Sequence, residues 1–270
     1  MKKIAFIGTG NMGGALIRSV CTTIDPDEVV ITDCQISKAA ELAEELGCDT
    51  AEDNASAAVA AKYVVLCVKP QVLHDVLREI APFLSEGQVL VSIAAGITMD
   101  SMYSVLLAAG KEIPMIRLLP NTPAAIGQGL ILLAPDKNVS ERDIASLEDI
   151  LAGCGRIDRT EEKYADAIMT IGGCTPAFAY MFIEALADGA VMAGLPRQKA
   201  QEYAAQAVLG AAAMVLETGM HPGLLKDNVC SPAGSTIVGV GCLENAGFRS
   251  AAMTAVFEAY NKTVELGKPR

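Results

Sequence analysis

Six residues near the N-terminus, Gly8-Thr9-Gly10-Asn11-Met12-Gly13, constrain the fold more than any other feature of the chain. Their spacing is GxGxxG, which alone is a weak pattern. Here a short apolar run, Lys3–Ile7, precedes it. Asn11–Thr22 follows with helical apolar spacing at Met12, Leu16, Ile17 and Val20. Strand, glycine turn and amphipathic helix in that order are the context in which the pattern means a dinucleotide site. Gly8 permits the tight turn, Gly10 lets the backbone approach a pyrophosphate, and Gly13 lets the helix lie close on the strand. The helix start supplies free N–H donors and a partial positive charge. Cofactor contacts are therefore expected at Gly8, Thr9, Gly10, Asn11, Met12 and Gly13. The competing reading is a glycine-rich turn without a ligand, and the flanking strand and helix speak against it.

Alternation continues after this start. Apolar runs at Glu28–Thr32, Tyr63–Val68, Gln88–Ile93, Ile113–Leu119 and Gly129–Leu133 read as strands. Between and after them Lys38–Leu46, His74–Leu84, Met99–Ala109 and Glu141–Leu151 read as helices, with Gly47 as a C-cap. This predicts an α/β Rossmann domain, a doubly wound and mainly parallel sheet covered on both faces. After roughly residue 160 only helical spacing remains: Tyr164–Ile171, Ala177–Met192, Arg197–Thr218, Ser235–Glu244 and Ser250–Leu266. Gly or Pro stands at each break, as at Gly172-Gly173 and Pro176. The expected division is a dinucleotide-binding domain over 1–158 and an all-α domain over 159–270 for substrate binding and dimerisation. The second domain's helices are Ala-rich with few charges. That is more apolar surface than a domain of this size buries alone, so homodimer contacts are expected there.

Composition removes several classes of function. The formal net charge is −11, which disfavours phosphate backbones and anionic lipid. The apolar run after Lys2-Lys3 stops at Gly8, too short for a signal peptide. No apolar stretch looks unbroken enough to span a bilayer, so a soluble cytoplasmic protein is expected. Eight Cys without CxxC spacing and only two His make a metal site improbable.

Further polar residues gather at predicted strand ends. Asp33 closes the second strand, about 20 residues beyond the glycine motif, where a carboxylate accepts bonds from the adenosine ribose hydroxyls. It leans the choice between NADPH and NADH towards NADH. Ser37 and Lys38 stand nearby and would suit a 2′-phosphate instead. Cys67-Val68-Lys69-Pro70 ends the third strand. Ser92-Ile93-Ala94-Ala95-Gly96 ends the fourth, and Arg117-Leu118-Leu119-Pro120-Asn121-Thr122-Pro123 the fifth. All three belong to the carboxyl edge, where open α/β sheets bind ligands. Asn121 and Thr122, held by two prolines, suit a ligand contact or a stiff turn. Downstream, Lys226–Thr236 places Ser231, Gly234, Ser235 and Thr236 at a helix start. Hydroxyls and free N–H groups there form a carboxylate site, or Ser235 or Thr236 is a plain N-cap.

In order along the chain, GTGNMGGA, CVKPQ, SIAAGIT, RLLPNTPA, GGCTPAFAYMFIEALADGAV and LKDNVCSPAGSTI together resemble pyrroline-5-carboxylate reductase over essentially its whole length. The resemblance implies reduction of Δ1-pyrroline-5-carboxylate to L-proline with NAD(P)H. It also implies a helical dimer, often assembled into a ring of dimers. It carries substrate contacts onto Ser231, Ser235 and Thr236, with Thr236 facing the ring nitrogen. Cofactor contacts fall on Gly8–Gly13, Asn54, Val68, Lys69, Pro70, Ala94, Ala95 and Gly96, with Asn228 nearby. The family loop usually reads SPGGTT, whereas this chain has Ala233 and Ser235. Ala233 is therefore expected at negative φ, since a β-carbon disfavours the left-handed region. Likewise Gly172–Ala177 reads GGCTPA where many relatives have GSGPA.

No GxSxG, P-loop or His-paired nucleophile is present, and hydride transfer needs none because the cofactor carries the chemistry. Thr236 is the candidate to hydrogen-bond the ring nitrogen and relay a proton from water. Two rival readings stand beside this one. One is a related imine or β-hydroxyacid reductase, but a hydroxyacid enzyme uses a Lys on the long helix, and Lys163 precedes it. The other is a non-catalytic dinucleotide sensor, which has no need of Ser231–Thr236.

Overall fold

The computed structural model describes residues 1–266; residues 267–270 of the second expected domain lie outside them. In chain order the elements begin β1 (Lys2–Ile7), α1 (Asn11–Thr23), β2 (Val29–Thr32), α2 (Ile36–Leu46) and β3 (Asp49–Thr50). Next come α3 (Asn54–Ala60), β4 (Ala61–Leu66), α4 (Pro70–Ile80), β5 (Val89–Ser92), α5 (Met99–Ala108) and β6 (Met115–Leu119). The series closes with β7 (Gly129–Pro135), α6 (Glu141–Leu151), β8 (Gly155–Arg159), α7 (Ala165–Met192), α8 (Arg197–Thr218), α9 (Pro222–Asn228), α10 (Ser235–Asn245) and α11 (Phe248–Leu266). Two compact units result. The first is Met1–Gly173 together with the described residues 259–266; the second is Cys174–Glu258.

The first unit is built on one eight-stranded sheet of order β3-β2-β1-β4-β5-β6-β7-β8. Every pairing is parallel except β6 with β7. Alternation along the strands explains why they are apolar throughout. In β1, Ile4 and Phe6 enter one core and Ile7 the other; in β4, Tyr63 and Val65 enter the first, Val64 and Leu66 the second. Helices α1, α2 and α6 close the first face, α4 and α5 the second. Strand order reverses between β1 and β4, so their parallel carboxyl ends open the crevice where such sheets take ligands.

The second unit has little core of its own. Ala187, Ala200 and Ala204 are buried, with Ile183, Ala190, Val191 and Leu195 around them. Phe182 and Phe248 pack with ring centroids 5.6 Å apart. Many large apolar side chains stay open, among them Met181, Met192, Leu209, Leu216, Met253 and Phe257.

Two sequence expectations fail here. Gly172-Gly173 and Pro176 were expected to separate two helices, yet α7 runs unbroken through all three. A proline forfeits one helix bond without ending a helix when that bond is replaced. The expected absence of an apolar stretch of bilayer length also fails. Glu162–Met192 is long and apolar enough by length and composition, and 6% of its most apolar window is buried within the chain.

Candidate functional site at the carboxyl edge and the loop Ser231–Thr236

The glycine motif folds as its spacing implies. Gly8 has φ 107°, and a β-carbon there would lie 2.6 Å from the Cys67 carbonyl oxygen, so the turn passes hard against the end of β4. A β-carbon on Gly13 would overlap the Gly8 carbonyl, which lets α1 start directly on the strand. Gly10 differs: nothing lies within 4 Å of where its β-carbon would be. It is also the N-cap of α1, and no side chain caps the helix. Space is thus open beside Gly10, at a helix start whose first N–H groups, those of Asn11, Met12 and Gly13, no side chain caps; such groups are the donors a pyrophosphate takes.

Asp33 is tied to this turn. Its Oδ2 accepts from Thr9 N–H at 2.7 Å and from the Thr9 hydroxyl at 3.0 Å. Its Oδ1 accepts from Gln35 N–H at 2.9 Å and from the Cys34 thiol at 3.4 Å. Partial burial pushes the carboxyl up, but the Gln35 and Thr9 donors outweigh it and hold Asp33 below the ordinary aspartate value. The side chain is a fixed negative charge. Ser37 and Lys38 are exposed in the first turn of α2.

The other edge residues follow their strands. Val68 packs on the second core; Lys69 is the N-cap of α4 and Pro70 its first residue. Ala94 is buried after β5, and Gly96 takes φ 72°, a conformation that glycine adopts at no steric cost. Asn54 opens α3, and its Nδ2 donates to Glu79 Oε2 at 2.9 Å. Asn121 does not present its amide to a ligand: one end meets Gly172 and the other Leu130.

A polar connection that sequence reading missed supports this edge. Arg117 on β6 is 2% exposed, with Nη1 3.2 Å from Glu162 and Nη2 3.4 Å from Asp166. The same Glu162 oxygen accepts Met99 N–H, at the first residue of α5, at 2.8 Å. Strand β6, the start of α5 after Ala94–Gly96, and the approach to α7 are thereby joined. The available signal was an arginine inside an otherwise apolar strand, because a buried guanidinium demands carboxylate partners.

In the second unit, Ser231–Gly234 forms a turn closed by Gly234 N–H to the Ser231 carbonyl at 3.0 Å. Ala233 lies at φ 57°, against the expectation of negative φ. Pro232 suits the turn's second position, and the turn formed here has its third residue, Ala233, in the left-handed region that a type II turn uses. A β-carbon on Gly234 would overlap Ser231 Oγ. Gly234 is the N-cap of α10 and no side chain caps this helix, which removes the plain N-cap alternative for Ser235 and Thr236. Ser235 and Thr236 are its first two residues and are exposed, and among the described residues their hydroxyls make no hydrogen bond.

Known proteins resemble this chain over its full length. Residues 162–266 match the family described as "Pyrroline-5-carboxylate reductase dimerisation", and residues 3–96 match "NADP oxidoreductase coenzyme F420-dependent". The pyrroline-5-carboxylate reductase of Escherichia coli is 39% identical over 269 residues, covering 99% of each chain. The chain belongs to the pyrroline-5-carboxylate reductase family. The reductase of Glycine max is 40% identical over 265 residues, covering 97% of this chain and 95% of the other. Among solved structures, the reductase of Coxiella burnetii has TM-score 0.88 at 31% identity and covers 99% of each chain. The Plasmodium falciparum enzyme with NADP bound has TM-score 0.87 at 30% identity, covering 99% and 98%. Within the reductase family's dimerisation segment fall α7 to α11, the loop Ser231–Thr236 and Asn228, the exposed last residue of α9.

Proposed function

We propose that this chain reduces Δ1-pyrroline-5-carboxylate to L-proline. A hydride is delivered to the imine carbon and a proton to the ring nitrogen. The observation that carries the reading is the full-length similarity to pyrroline-5-carboxylate reductases, in a chain whose Ser235 and Thr236 hydroxyls make no hydrogen bond among the described residues. Reduced nicotinamide, as NADPH or NADH, supplies the hydride when bound. Gly10 and the uncapped start of α1 hold its pyrophosphate; Ala94, Ala95 and Gly96 border its ribose. Val68, Lys69, Pro70, Asn54 and Asn228 complete the proposed cofactor contacts.

Ser231, Gly234, Ser235 and the N–H groups at the start of α10 hold the substrate carboxylate. A helix N-terminus favours an anion. Thr236 Oγ1 donates to the ring nitrogen and passes on a proton from water. Holding both ends of a small ring fixes which face receives the hydride, and such orientation lowers the barrier by several kcal/mol.

We further propose that Asp33 tilts cofactor choice towards NADH, its fixed charge opposing a 2′-phosphate. The protein acts in the cytoplasm as a homodimer through its C-terminal helices, assembled into a ring of dimers. The domains divide near residues 158 and 159. The deciding assay follows NAD(P)H oxidation with pyrroline-5-carboxylate, with a hydroxyacid run in the oxidative direction as control. Turnover of the imine alone is expected; turnover of the hydroxyacid alone overturns the reading.

A further inference from the structure

Pro176 sits inside α7 and has no N–H to donate. In a regular helix that amide would meet the carbonyl four residues back, here that of Gly172. The proline ring also crowds this carbonyl. The Asn121 side chain meets it instead: Nδ2 donates to the Gly172 oxygen at 2.9 Å. At the other end of the amide, Oδ1 accepts Leu130 N–H at 2.9 Å, where β7 begins. These partners settle which end is which, since a carbonyl needs a donor and an N–H needs an acceptor. Asn121 is 7% exposed, between Pro120 and Thr122-Pro123. A β-carbon on Gly172 would make only an ordinary contact with Leu130, at 3.5 Å. Crowding does not require glycine there. Gly172 and Gly173 instead leave this turn of the helix poorly stiffened by its own sequence.

We propose that Asn121 is a positioning residue: its amide replaces the helix bond lost at Pro176 and sets the course of α7 through Gly172–Pro176. The glycine motif precedes this turn in the chain and Ser231–Thr236 follows it, so the proposed reaction draws on residues from both sides. The kinetic arm of the test rests on the reductase reading; a second arm does not.

The experiment is a double-mutant cycle on the full chain with Asn121→Asp and Pro176→Ala. Asn121→Asp keeps the acceptor for Leu130 and sets a carboxylate oxygen against the Gly172 carbonyl. It should lower kcat with pyrroline-5-carboxylate about tenfold, because the part-buried Gly172 carbonyl loses its donor and meets a carboxylate oxygen instead. KM for NAD(P)H should stay within about twofold, the glycine motif being untouched. Pro176→Ala returns an amide to the helix and makes the Asn121 donor redundant. In that background Asn121→Asp should cost less than about threefold. Equal losses in both backgrounds overturn the proposal. The same four proteins are melted, and Tm should show the same non-additivity. This arm reads the clamp even if the parent turns over no imine, so failure of the reductase reading stays separate. If Asn121→Asp is insoluble, recovery of soluble protein by Pro176→Ala supports the proposal, and an equally insoluble double variant overturns it.

Discussion

At Ala233 the chain holds a β-carbon at φ 57°, in the left-handed region. That conformation costs about 1–2 kcal/mol in an L-residue. Ala233→Gly removes this strain but gives the unfolded chain more freedom, worth about 0.4–1 kcal/mol. A net gain of about 0.5–1 kcal/mol is expected in urea titration, and a lower midpoint would contradict it. Three residues on, the Thr236 hydroxyl caps nothing. Thr236→Ala should therefore leave stability within about 0.5 kcal/mol. It should cut kcat/KM for pyrroline-5-carboxylate roughly 10- to 150-fold, the value of a hydrogen bond to a nitrogen that gains negative charge as the hydride arrives. Unchanged kinetics would remove Thr236 from the mechanism. Asp33 bears on cofactor choice. Its charge should oppose a 2′-phosphate by about 1–3 kcal/mol in a partly open crevice, or roughly 5- to 150-fold. Asp33 also braces Thr9, so Asp33→Ser should do two things at once. The ratio of KM for NADH to KM for NADPH should move towards NADPH, and KM for NADH should itself rise as the glycine turn loosens. A parent that prefers NADPH, or a ratio that does not move, would refute the role.

Among elements, β6 is tied to the approach to α7 through one side chain. Arg117 is 2% exposed, while Glu162 and Asp166 are 30% and 32% exposed. Removing one partner of a fully buried pair costs about 3–5 kcal/mol; with carboxylates this hydrated, Arg117→Ala should cost about 2–4 kcal/mol. Lys163→Ala, which breaks the exposed pair with Glu161 and the contact with the Tyr164 ring, should cost about 0–1 kcal/mol. Comparable losses for the two in urea titration would mean that Arg117 is not a bracing residue. The elements also differ in how legible they were. Glu141–Leu151 and Arg197–Thr218 lie where their apolar spacing places them. The seven-residue helix Asn54–Ala60 was not seen, because its start signal, the Asp53 side chain accepting Ser56 N–H, precedes too short a run to show a period. Strand β8, Gly155–Arg159, was missed because an edge strand with exposed Arg and Asp lacks the apolar signature of the inner strands. The break at Pro176 was misplaced because a side chain distant in sequence, Asn121, repairs the helix there. In the candidate site, the glycine motif was legible because Gly8 and Gly13 answer local steric demands and Gly10 leaves open space at the helix start. Ala233 was misread because the turn, set by Pro232 and the Gly234 amide, overrides its own preference. The Arg117–Glu162–Met99 connection pairs residues too far apart in sequence for any spacing rule to join.

For the molecule as a whole, the apolar surface of the C-terminal helices decides its state in solution. Light scattering should find a dimer or a larger even-numbered assembly at micromolar concentration, and a stable monomer would contradict the homodimer. The match of residues 162–266 to a dimerisation family accounts for an apolar helix that the isolated chain leaves open. A helix with the composition of a bilayer span makes a single copy a poor solute. Folding and encounter are then one reaction, and mass action governs both. The protein's melting temperature therefore has meaning only at a stated concentration. Its thermal midpoint should climb with each tenfold increase in concentration, and copies made too sparsely to meet should be the first that proteases remove.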